Sequence, residues 1–129
     1  MRVLFINEMC GTTSTGRITC ELADQLTAEG HTCKIAYGRA DDVPDKWKHY
    51  AVRIGTDMDV RRHALRTRLL DECGFGSKRP TKEFLKWADV FHPDFVWLHN
   101  LHGYYINIEL LFQWIKSRPN IQVKWTLHD

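Results

Sequence analysis

The chain has no C-x-x-C pair: Cys10, Cys20, Cys33 and Cys73 are scattered. That excludes a zinc ribbon and a dense disulfide framework, and makes the cytoplasm the expected compartment. Long apolar runs are missing too, since none approaches the ~18 residues needed to span a bilayer. The opening VLFI is too short for the apolar segment of a signal peptide, and Asn7 and Glu8 interrupt it. No sign of charge dominates. Lys and Arg number 18 against 16 Asp and Glu, for a net +2, and that balance argues against a nucleic-acid partner. Internal repeats and low-complexity tracts are absent.

What is present suits one packed domain: 129 residues, 43% of them apolar, with five Trp. Residues 2–7 read as a buried strand. Residues 17–29 read as a helix with Ile18, Leu22, Ala23 and Leu26 on one face, ended by Gly30. Residues 32–38 complete a βαβ unit. The stretch 39–50 is polar and reads as irregular, 51–55 as a short strand, and 57–72 as a helix with Val60, Ala64 and Leu69 inward. After the loop 74–80, Thr81 is expected to cap a helix at 82–92 with Leu85, Ala88 and Phe91 on its apolar face. A central parallel strand at 94–98 follows, then a helix at 107–117 through Leu110, Leu111, Trp114 and Ile115, then a strand at 121–127. This order implies an α/β three-layer sandwich with a mainly parallel sheet. The last strand reads as interior to the sheet with more elements after it, so the chain is expected to be an incomplete domain.

Between the first strand and helix stands Cys10-Gly11-Thr12-Thr13-Ser14-Thr15-Gly16-Arg17. A loop leaving a parallel strand lies at the carboxyl edge of the sheet, where ligands gather. The helix start supplies N–H groups, the glycines allow close approach, the hydroxyls donate, and Arg17 adds a permanent charge; together they suit a phosphate. Gly11 and Gly16 have the spacing of an ATPase P-loop, but Arg17 replaces its lysine and Ile18 its metal-binding hydroxyl. The dinucleotide fingerprint G-x-G-x-x-G is missing, and Tyr37-Gly38-Arg39 stands where a ribose-binding acid belongs. The plain alternative is a helix-capping turn.

His99, Asn100, His102, Tyr104 and Tyr105 follow the strand at 94–98, and His128 and Asp129 follow the last strand. If the strands are parallel, these groups and the glycine loop share one rim. His99-x-x-His102 with His128 and Asp129 offers metal-ligand types, but no H-E-x-x-H pattern or nearby Cys supports a metal. The bland reading is that His99 or His102 satisfies buried polar groups.

The glycine-rich loop, the LADQL helix, EGHTCKIAYG, HPDFVWLHNLHGYYINIELLF and VKWTLHD, taken in order, resemble the amino-terminal domain of a family 4 glycosyltransferase, the retaining group with the GT-B fold. The resemblance implies a Rossmann-like acceptor-side domain over residues 1–129. The donor-binding carboxyl-terminal domain, with its glutamates, would lie outside these residues. It implies an enzyme that, when full length, moves a sugar from a nucleotide-sugar donor to a glycan or lipid-linked acceptor with retention, using no further cofactor and no metal. His128 would match the family's catalytic HD histidine. Gly11, Thr12, Thr13, Ser14, Thr15, Gly16 and Arg17 would approach the donor phosphates. His99, Asn100, His102, Tyr104 and Tyr105 would line the acceptor side, with Glu8 and Asp129 as possible helpers. Residues 61–86 carry eight basic side chains against three acidic ones. Arg61, Arg62 and Arg66 are therefore expected to touch an anionic membrane surface peripherally, unless they form a solvated face. Residues 74–80 would hinge over the acceptor. A non-catalytic nucleotide- or sugar-binding module and a metal-dependent hydrolase are the alternatives.

Overall fold

Five of the six residues of β1 (Arg2–Asn7) are buried, which requires cover on both faces of a central strand. A computed structural model describes residues 1–39, 43–70 and 76–128, apart from the side chains of 68–70. In it β2 (Thr32–Tyr37) and β4 (Phe95–Leu98) flank β1, β3 (Ala51–Arg53) lies beyond β2, and β5 (Gln122–Trp125) lies beyond β4. Every pairing in the order β3-β2-β1-β4-β5 is parallel. The expected α/β sandwich is present, and its sheet is wholly parallel. The direction of progression reverses between β1 and β4, which makes their tips a topological switch point.

Alternation along β1 divides the core. Val3 and Phe5 join Cys20 and Ala23 of α1 (Thr13–Ala28) with Trp47 and Tyr50. Leu4 and Ile6 join Phe84, Ala88 and Phe91 of α3 (Lys78–Phe91) and Leu111 and Trp114 of α4 (Ile108–Lys116). The two sets clamp the sheet from opposite sides. Between β3 and α3 runs α2 (Asp57–Leu70).

Several expectations need correction. The first helix begins at Thr13, not at 17, and its inward face is Gly16, Thr19, Cys20 and Ala23. Ile18, expected inward, is 39% exposed. Small side chains bring this helix close to the sheet, so the contact face is chosen by size as well as by apolarity. The stretch read as irregular contains a 3-10 helix, Asp45–Tyr50, that folds over α1. The Trp47 indole N–H and the Tyr50 hydroxyl donate to the two carboxylate oxygens of Asp24 at 2.9 and 2.7 Å. These bonds, Trp47 first, hold the Asp24 carboxyl below the usual carboxylate range.

Thr81 is not a cap. It lies inside α3, fully buried, and its hydroxyl oxygen accepts the Asn107 N–H at 2.8 Å, tying α3 to the start of α4. Among the described side chains of α2, Val60 packs against the core as expected and His63, which the apolar count passed over, is buried; Leu69 falls outside the described side chains. β5 is the last strand in the order, and its four residues, Val123 and Trp125 included, are exposed among the described residues. Among the described residues no helix is long and apolar enough to cross a membrane.

Candidate functional site

Parallel register decides where the loops emerge. Asn7 lies beside Tyr37, Ile6 beside Leu98, and Leu98 beside Trp125. The tips of β1, β2, β4 and β5 therefore share one edge. The turn after β1, the loop after β4 and His128 gather there, as the strand order required.

The tightest contact on this rim joins two histidines. His99 Nδ1 and His128 Nε2 are 2.8 Å apart. His99 is 2% exposed; the Trp97 ring lies 5.4 Å from it at 25°, and the His128 ring is nearly coplanar with it across the shared bond, 5.1 Å between centroids. Its Nε2 is buried without a partner. Burial first, then the neighbouring His128 and Lys124, lowers its pKa to about 4, so the ring is neutral at physiological pH. The indole N–H of Trp125 donates to the His99 carbonyl at 3.0 Å and pins the strand end.

At the switch point the two loops are bonded together. The side-chain oxygen of buried Asn7 accepts the Asn100 N–H at 3.1 Å, and the Asn7 amide donates to the Met9 carbonyl at 2.9 Å. Tyr105, expected on the acceptor side, is 1% exposed and donates its hydroxyl to the Asn100 carbonyl. It supports the loop from below and cannot line a ligand. Burial, then the nearby Glu8 charge, raises its phenol well above the usual range.

Glu8, treated from sequence only as a helper, is central to the rim. Its carboxylate lies 3.5 Å from His102 Nδ1 and 3.6 Å from Arg39 Nε, and its carbonyl accepts the N–H groups of Gly38 and Arg39. Gly103 lies so close that a Cβ there would come within 2.9 Å of the Glu8 side chain. The signal that could have found Glu8 and Arg39 was position: each stands just past the end of a parallel strand.

The glycine-rich segment differs most from expectation. Thr13 through Arg17 are the first turns of α1, not a loop. The Gly11 N–H donates to the Gly16 carbonyl at 3.0 Å, and Gly16 packs against Gly11 and Met9. A Cβ on Gly11 would meet Pro44 at 2.6 Å. The two glycines thus serve close packing of the turn against α1 and the 3-10 helix. Thr12 and Thr15 are half-buried; Thr13, Ser14 and Arg17 are exposed and remain presented to solvent at the helix start. Thr13 adopts φ 60, which β-branched residues rarely do.

His99 and His102 do not converge: one meets His128, the other Glu8. Among the described residues no group of three or more His, Cys, Asp or Glu is placed to hold a metal; Asp129 lies outside them. Tyr104 is exposed, and its ring edge rests on His63, 5.5 Å between centroids. The loop 74–80 lies partly outside the described residues. Its Gly76 packs against the His63 ring, where a Cβ would come within 2.7 Å, so a hinge role does not suit it. Burial, then Arg66, lowers the His63 pKa. A cleft of about 680 Å³ lined by Arg62, His63, Arg66, Lys78 and Arg79 opens between α2 and α3. The chemistry of the rim, not the size of this cleft, identifies the candidate site. Arg61, Arg62 and Arg66 are exposed on α2. No protein-family model matches the chain, and neither a curated protein nor a solved structure matches it.

Proposed function

We propose that this chain is the acceptor-side domain of a retaining glycosyltransferase, which moves a sugar from a nucleotide-sugar donor to a glycan or lipid-linked acceptor. The observation that carries the reading is the switch-point rim, where the β1 turn, the β4 loop and His128 meet at one sheet edge. In this reading Thr13, Ser14, Arg17 and the α1 N-terminus face the donor diphosphate. His128 donates a hydrogen bond to a phosphate or sugar oxygen as negative charge develops on the leaving group, and such fixed dipoles lower the barrier without reorganising. Asn100, His102 and Tyr104 meet the acceptor, with Glu8, itself paired with Arg39, beside His102. Front-face attack lets the departing phosphate take the acceptor proton, so no dedicated base is required.

The enzyme works in the cytoplasm, at the membrane's inner face where the acceptor is lipid-linked. The donor-binding glutamates belong to a second domain outside these residues. The 129 residues alone bind nucleotide sugars weakly and do not turn over. The test is transfer from a panel of labelled nucleotide sugars by the full-length enzyme, alongside calorimetry on this chain. His128→Ala is expected to lower kcat far more than acceptor affinity. Full activity in that variant, or tight nucleotide binding by the 129 residues, refutes the reading.

A further inference from the structure

We propose that His99 is a positioning residue that sets the tautomer of His128: the His99 Nδ1–H donates to His128 Nε2, leaving His128 to meet its ligand through Nδ1–H. The consequence is chemical. A ring held this way presents a proton and has its only lone pair occupied, so His128 acts as a hydrogen-bond donor and not as a general base. Its ligand atom is then an oxygen offering a lone pair, as on a phosphate. The catalytic meaning rests on the sugar-transfer reading above; the tautomer does not.

A neutral pair of imidazoles at 2.8 Å has two arrangements. If His128 Nε2–H were the donor, His99 would carry its own proton on Nε2. That nitrogen is buried and has no partner, so the arrangement leaves an orphaned N–H. With His99 Nδ1–H as donor, the same nitrogen is a bare acceptor. Among backbone groups an orphaned buried N–H is rarer than an under-satisfied acceptor, and by the same preference we assign the bare acceptor to His99 Nε2. The neighbouring rings give no escape. Trp97 lies 25° and Phe5 31° from the plane of His99, so a proton in that plane does not reach either π face. A doubly protonated His99 is disfavoured by burial and by the facing His128 and Lys124. The Lys124 ammonium stands 4.5 Å from the Trp97 ring on the same face of the sheet.

The test is long-range proton–nitrogen correlation NMR on the chain labelled with ¹⁵N-histidine, at mildly alkaline pH. The expected spectrum shows His99 protonated on Nδ1 and bare on Nε2, with His128 bare on Nε2 and protonated on Nδ1. Protonation of His99 on Nε2 overturns the proposal. His99→Asn keeps an N–H near the Nδ1 position and is expected to retain the His128 tautomer. His99→Phe keeps the stacking, removes the donor, and is expected to shift the tautomer ratio of His128 by on the order of tenfold. An unchanged ratio in the Phe variant also overturns it, and the wild-type spectrum decides should that variant fail to fold. In the full-length enzyme, His99→Phe is expected to lower kcat with donor KM little changed, and His99→Asn to recover most of the loss. The expected spectrum without any sugar transfer would sink the functional reading and leave the tautomer assignment standing.

Discussion

Replacing Gly38 with alanine tests how the rim is held together. Gly38 follows β2 and faces Tyr105, the buried residue beneath the β4 loop. A Cβ at position 38 would lie 1.9 Å from Tyr105 Cβ and 2.0 Å from Cγ. Ordinary contact begins near 3.4 Å, so the two must separate by about 1.5 Å. The clash involves the stem of Tyr105, not a flexible tip, and that ring is fully buried and bonded through its hydroxyl to Asn100. Relief therefore requires backbone movement of the β2 tip or the 99–105 loop. Gly38→Ala is expected to cost about 3 kcal/mol, the upper end of overpacking costs, and to lower Tm by on the order of 10 °C. Urea unfolding followed by tryptophan fluorescence reads the change. Tyr105→Gly alone is costly because it empties a core position and loosens the backbone, about 4 kcal/mol or more. In its background Gly38→Ala should cost far less, because both the Cβ and the ring that obstruct it are gone. A loss below about 1 kcal/mol for the single variant, or additive losses in the double, would refute the contact and with it the support assigned to Tyr105.

Stability should fall as pH drops from the ordinary histidine value of 6.5 toward the His99 value of about 4. The unfolded chain takes up this proton first, so the contribution is complete above 6.5 and is at most on the order of 3 kcal/mol. His99→Phe should flatten the slope, leaving a residue of the same sign from His63, whose pKa is also lowered; an unchanged slope in acid-titrated unfolding would count against a buried neutral His99. Thr81→Val keeps the side-chain shape but removes the acceptor of the Asn107 N–H, and should cost about 1–3 kcal/mol by chemical denaturation; a neutral outcome would mean that this bond does not couple α3 to α4. Anionic liposomes should carry the chain in flotation, and reversing Arg61, Arg62 and Arg66 to Glu should release it; equal flotation of both proteins, or none of either, removes the membrane contact.

Strand positions and their common direction were readable because a buried parallel strand leaves a dense apolar run such as VLFI or FVWL, and because helices between such runs force parallel crossovers. Local pattern reached its limit where packing chooses between residues. Ile18 has the right spacing to face the sheet, yet the closest approach of α1 is made through Gly16, Thr19, Cys20 and Ala23. Thr81 suits a helix cap, yet its hydroxyl serves a backbone N–H that is 26 residues away.

The amino-acid sequence by itself determined the α/β class, the parallel strands, and the edge at which His99, His102, His128 and the glycine-rich segment gather, since each of these follows from periodicity and chain order. Tertiary structure alone decided which of those groups touch. His99 pairs with His128 while His102 turns to Glu8, Tyr105 sinks beneath the loop, and Gly11 and Gly16 meet each other across a tight turn. Such choices depend on the volumes and hydrogen-bond partners supplied by segments distant in the chain, which no local pattern records.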